Sequence, residues 1–162
     1  MSELDQLSLA LAARFIELFN IVLRDPLQAG KTAPDKVPFQ APLYFARIPL
    51  QGPGVDGWLL MNTDQRFLNE THPEKKYGTR LDSADYLDWA AEILNRTLAG
   101  SKTELKKQGW QINLGLPTAT EATAAPLEPA KFEQSLVLES GPFFVSFTFH
   151  MKELARPALQ AG

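Results

Sequence analysis

Between Leu7 and Leu23 the apolar residues Leu7, Leu11, Phe15, Leu18 and Val22 recur three and four positions apart. That spacing predicts an amphipathic helix with one face in a core. Ser2 stands where an N-cap is needed, and Glu3 and Asp5 place negative charge in the first turn, where the helix dipole favours it. Asp25-Pro26 stops the helix, and the four prolines of residues 26–42 mark a connecting loop. The β-prone run LYFARIPLQ (43–51), the turn GPGVDG and the run GWLLMN (57–62) then read as a hairpin. A short helical piece, residues 64–70, leads into the polar loop HPEKKYGTR.

The second half repeats this order of long helix, extended segment, loop and hairpin. Asp82 suits the N-cap of a helix running to about Gln108, and Gly109 ends it. Leu87, Ala91, Leu94, Leu98 and Leu105 are expected on its core face. WQINLGLP (110–117) reads as a strand, and residues 118–130 as a loop of small residues. FEQSLVLE and PFFVSFTFHM form a second hairpin across Ser140-Gly141-Pro142. Phe143, Val145, Phe147, Phe149 and Met151 alternate onto one face, which leaves His150 on the opposite, exposed one. The elements lack regular βαβ alternation, so the expected class is α+β: two pseudo-symmetric halves, with long helices packed on a mainly antiparallel sheet. Residues 1–153 are expected to make a single domain, with 154–162 a flexible tail.

Composition narrows the chemistry. The chain has 162 residues, 44% of them hydrophobic and 22% charged, as in ordinary folded domains. A net charge of −3 argues against nucleic acid as a partner. With no cysteine there is no thiol nucleophile, disulfide or Cys-based zinc site, and His72 and His150 alone offer little to a metal site or a serine–histidine relay. No apolar run reaches the ~18 residues of a membrane span, and the acidic start MSELDQ does not read as a secretory signal. The expectation is a cytoplasmic domain without a metal or a membrane.

The informative stretch is DYLDWAAEILNRTLAG (85–100) on the second long helix. At ~100° per residue, Asp88, Glu92 and Asn95 share a strip of roughly 60°, with Ala99 one turn further on. For an arbitrary helix the ordinary reading of such a strip is a solvated edge. Helix 1 carries a second Glu-x-x-Asn, Glu17 and Asn20.

The order Asp88-x-x-x-Glu92-x-x-Asn95, followed by Pro117, resembles the signature of the CheC/CheX/FliY family of chemotaxis phosphatases. That signature is Ser or Asp, three residues, Glu, two residues, Asn, and a downstream proline. The chain's length, its long first helix before a proline-rich loop, and Ala99-Gly100 make the resemblance strongest to the CheX members. Leu94 departs from the pattern, since family members usually have a small residue, commonly Gly, before the Asn. The Ala-Gly pair also lies one residue late and the proline slightly early. These differences bear on activity more than on fold, and the angle of Leu94 on the helix predicts that it points into the core.

The resemblance implies hydrolysis of the aspartyl-phosphate of a CheY-like receiver domain. An acyl phosphate is already reactive, so the catalyst has to place a water in line rather than supply a strong base. By this analogy Asn95 positions the water, Glu92 engages the receiver's lysine, and Asp88 and Ala99 belong to the partner-binding face. Mg2+ would belong to the receiver, leaving this chain with no cofactor of its own. A homodimer is also implied, with segments 43–62 and 132–151 offering strands to continue a sheet. The alternative is a non-catalytic module of the same fold, binding a response regulator or serving in a flagellar switch as the FliM middle domain does. CheC carries two motifs, but Ala13 and Phe19 occupy the positions that would complete one around Glu17 and Asn20, so that pair reads as a polar face.

Overall fold

Ser2 caps the first helix, α1 (Glu3–Phe19), by accepting the Asp5 N–H at 3.0 Å, while the Asp5 carboxylate accepts the Ser2 N–H in return. The computed structural model describes residues 2–20, 22–121 and 126–157. Leu4, Leu7, Leu11, Phe15 and Phe19 of α1 are buried. The expected continuation through Leu18 and Val22 gives way to Phe19, because the helix ends there and its ring packs 4.5 Å from that of Phe15. Val22, beyond the helix, is 48% exposed.

A two-residue strand, β1 (Gln28–Ala29), precedes the hairpin of β2 (Leu43–Gly52) and β3 (Val55–Asp64). Gly54 makes the hairpin turn at φ 75°, a left-handed conformation that favours glycine. Next come α2 (Gln65–Thr71), α3 (Ser83–Lys107), β4 (Asn113–Leu114), β5 (Thr118–Glu121) and the hairpin of β6 (Phe132–Ser140) and β7 (Phe143–Leu154). The sheet order is β1-β6-β7-β3-β2-β4, with β5 also on β2, and every pairing is antiparallel. This is an α+β fold.

Two expectations need correcting. Only residues 113–114 of the predicted 110–117 strand enter the sheet, because Trp110 is buried against the end of α3 and the chain leaves the helix as a packed connection. Within the expected loop 118–130, Thr118–Glu121 form β5 along Tyr44–Arg47 of β2. Residues 122–125 lie outside the described residues.

Each half contributes a long helix and a hairpin, with one short strand after α1 and two after α3, and the short strands are exchanged. The strand after α1 pairs with the second hairpin, and both strands after α3 pair with the first. β3 and β7 meet in the middle. One sheet face, with Tyr44, Ala46, Ile48, Leu50, Leu59, Met61, Val145, Phe147 and Phe149, is buried beneath α1 and α3. Phe15 meets Phe147 edge-on at 4.7 Å. Asp64, fully buried, joins sheet to α2 by accepting the N–H groups of Arg66 and Gln40 and pairing with the Arg66 guanidinium at 2.9 Å.

His150 does lie on the opposite face, but it is covered: Glu133 sits 2.7 Å from Nδ1 and the Glu128 carbonyl 2.6 Å from Nε2. The start of the expected flexible tail is tied down. Ala155 N–H donates to Gly54 O, and Arg156 reaches Glu3 and the Gln108 carbonyl, each at 3.1 Å. Residues 158–162 lie outside the described residues. Of the two segments expected to offer a strand edge, β2 is flanked by β4 and β5, whereas the edge of β6 turned away from β7 has no strand partner at Phe132–Leu136 among the described residues.

The α3 cap carries a pH dependence. The Asp85 backbone N–H donates to the Asp82 carboxylate at 3.0 Å and holds its pKa below the usual carboxylate range. A depressed folded-state pKa means the cap's contribution is fully present above the unfolded-state pKa and is lost as pH falls through the folded one. Asp82→Ala should therefore lower the thermal midpoint at pH 7, and the gap to the parent should close below the usual carboxylate range. A gap independent of pH would show that the charged cap does not act this way.

Candidate functional site

The position of α3 decides what its surface can offer. Its N-terminus is fixed by reciprocal bonds between Asp82 and Asp85 and by the Ser83 hydroxyl donating to Glu121 of β5 at 2.9 Å. Tyr86, Trp89, Ala90, Ile93, Leu94, Thr97, Leu98, Ser101 and Leu105 are buried, whereas Leu87 and Ala91 are only half-buried. The core face is thus wider than expected and turned toward Trp89 and Ile93, because α1 packs along that flank as well. The hydroxyls of Thr97 and Ser101 are satisfied inside the core by the carbonyls of Ile93 and Thr97, at 2.7 and 2.8 Å.

Gly100 permits this close approach of the helices. A Cβ there would lie 2.3 Å from Arg14 Nε, so the Arg14 side chain occupies the space a larger residue would need. The glycine of the Ala99-Gly100 pair is therefore a packing residue. Ala99 is exposed.

The strip lies on the outward side of the helix. Asp88 is exposed, and Glu92 and Asn95 are half-buried on the same side of the helix. The Asn95 carboxamide has no hydrogen-bond partner among the described residues, so its carbonyl oxygen and its NH2 group are free to serve a bound molecule. Glu92 accepts a bond from Arg96 Nε at 2.9 Å. The Arg96 guanidinium lies 5.2 Å above the Trp89 ring, whose indole N–H donates to the Thr71 hydroxyl at 3.0 Å. Pro117 is half-buried at the entry to β5, the strand that flanks α3 on the other side. Leu94 is fully buried. Its bulk belongs to the core and takes no part in the outer surface.

The structure does not add the second Glu-x-x-Asn to this site. Asn20 is the C-cap of α1, and its side-chain oxygen accepts the Leu27 N–H at 2.8 Å. Glu17 pairs with Arg14 at 3.2 Å. Both are occupied with the end of α1 and the loop after it. Sequence reasoning passed over Arg96. The signal was available as a Glu–Arg pair at i,i+4, but its link to Trp89 depends on a buried indole that the sequence pattern placed beside the core.

Among the described residues, no group of three or more His, Asp or Glu side chains is gathered to hold a metal ion. None of the described helices is long and apolar enough to cross a membrane.

The sequence matches no protein-family model and no curated protein. Solved structures do match. The chemotaxis protein CheX from Vibrio vulnificus superposes with a TM-score of 0.69 at 14% identity, over 88% of this chain and 93% of that one. A CheX from Desulfovibrio desulfuricans gives 0.70 at 10% identity, over 90% and 99%. A chain of the CheX–CheY–BeF3–Mg2+ complex from Borrelia burgdorferi gives 0.64 at 11% identity, over 89% and 96%. The fold is that of CheX and CheC-like proteins. At these identities the likeness carries architecture only.

In this CheX-like fold the strip and the core beneath it should separate cleanly under mutation. Leu94→Ala removes a fully buried side chain and should destabilise the protein by about 2–5 kcal/mol in denaturant unfolding. Asn95→Ala, next to it but directed outward, should change stability by less than about 0.5 kcal/mol. Similar losses from both would mean that Asn95 is part of the core.

Proposed function

We propose that this protein binds the receiver domain of a CheY-like response regulator and hydrolyses its aspartyl-phosphate on the α3 strip. The observation that carries the reading is an uncommitted carboxamide, Asn95, beside a carboxylate, Glu92, on the outward face of α3. The fold supports the choice of partner, since a structure of the same architecture was solved together with CheY.

In the reaction a water attacks phosphorus while the bond to the receiver's aspartyl oxygen breaks, giving inorganic phosphate and the free carboxylate. The Asn95 side-chain oxygen accepts a hydrogen bond from that water, and its NH2 group donates to a phosphoryl oxygen. A neutral amide suits the position because a carboxylate would repel the phosphoryl group. Glu92, nearly one turn earlier, takes a cation of the receiver, which fixes the angle at which Asn95 enters. Asp88 and Ala99 lie at the edges of the contact. The divalent ion belongs to the receiver. The alternative of a non-catalytic module draws on Leu94, and that residue lies inside the core.

The test is a receiver phosphorylated by a small-molecule donor and followed with and without this protein. Asn95→Ala should abolish the acceleration, a loss of ~10²–10³ in rate, while binding stays largely intact. Glu92→Ala should weaken binding as well, and Asp88→Ala should do less than either. Glu17→Ala and Asn20→Ala should leave the rate nearly unchanged. Equal losses from both helices would indicate two working sites, and binding without acceleration would make the protein a non-catalytic partner.

A further inference from the structure

Glu92 is not a freely rotating surface carboxylate. Its Oε1 accepts from Arg96 Nε at 2.9 Å, and Oε2 has no partner among the described residues. The two side chains are 43% and 53% exposed, so the pair adds little to stability. Its significance is geometric, because Arg96 is itself held. The guanidinium lies 5.2 Å above the Trp89 ring, within cation–π range. Trp89 is buried and its N–H donates to Thr71, whose own hydroxyl donates to the Phe67 carbonyl at 2.9 Å inside α2. A connected line of contacts therefore runs from the interior of α2 through Trp89 and Arg96 to one oxygen of Glu92, and stops with the other oxygen open.

We propose that Arg96 is a positioning residue for Glu92: it fixes the carboxylate through Oε1 and presents Oε2 to the incoming cation of the partner. The inference rests on the reading of α3 as a receiver-docking face. Its physical basis is that a side chain already confined before docking loses less rotamer freedom on binding. Arginine suits the role because its planar fork can stack on an indole and donate from Nε at the same time, which a lysine ammonium cannot do.

Arg96→Gln removes the charge and the stack at an exposed site, so the protein should fold with an unchanged unfolding midpoint. With a receiver activated by beryllium fluoride and Mg2+, the dissociation constant should rise roughly 2- to 10-fold. With the phosphorylated receiver the loss should appear in KM rather than in the rate at saturation. Arg96→Lys should restore only part of it. In a Glu92→Gln background, Arg96→Gln should add no further loss, because its effect passes through Glu92. A full additional loss there would mean that Arg96 touches the partner directly, and tighter binding by Arg96→Gln would mean that it competes with the partner's cation. Either result overturns the proposal. A further readout needs no receiver: side-chain three-bond couplings should show one Glu92 χ1 rotamer in the parent and averaging in Arg96→Gln. Absence of receiver binding by the parent would refute the docking reading, while unchanged couplings would refute the Arg96–Glu92 link.

Discussion

Burial of α3 on two sides is the constraint on which the rest of the structure depends. The helix packs against β2 and β5 and also against α1, burying Trp89, Ile93, Leu94 and Leu98, with Trp89 edge-on to Phe19 of α1, and Gly100 leaves room for the Arg14 side chain. What is left for solvent is the opposite side of the helix, and Asp88, Glu92, Asn95 and Ala99 lie along it, with Arg96 beside them. Even the polar residues on the inner side, Thr97 and Ser101, are turned back onto the helix's own carbonyls. The candidate site is therefore the part of a rigid element that packing leaves over. Rigid elements hold functional side chains more closely than loops do.

The same constraint separates two copies of one short motif. Glu92 and Asn95 stand mid-helix, where the backbone is satisfied and the side chains have no local duty beyond the Arg96 contact. Asn20 stands at the end of α1, where an unsatisfied N–H from the following loop claims its side chain. Identical spacing gives an available carboxamide in one place and a structural cap in the other. Position within the element, more than the motif, decides which groups are free for chemistry.

Much of this was legible beforehand. The alternation of Tyr44, Ala46, Ile48 and Leu50, and of Val145, Phe147, Phe149 and Met151, marks the inner sheet face because burial on one side of a pleat demands period two. Asp82 and Gly109 mark the ends of α3 through capping chemistry that is local. The misses are all tertiary. β5 is four polar or small residues whose pairing is set by the open edge of β2, which no local pattern announces. Trp89 and Ile93 are visibly apolar on the flank away from the leucines, but that α1 lies beside them and makes that flank core is a tertiary fact. Arg96 gained its role from the same source.

The central claim is that the outward strip of α3 is the face that meets a receiver domain. The most direct test is NMR titration of the isotope-labelled protein with a CheY-like receiver activated by beryllium fluoride and Mg2+. The account predicts that the largest shifts fall on Asp88, Glu92, Asn95, Arg96 and Ala99, with the Asn95 side-chain NH2 among them, while Glu17 and Asn20 stay in place. Shifts centred on α1 or on the open edge of β6, with the α3 strip unmoved, would contradict it.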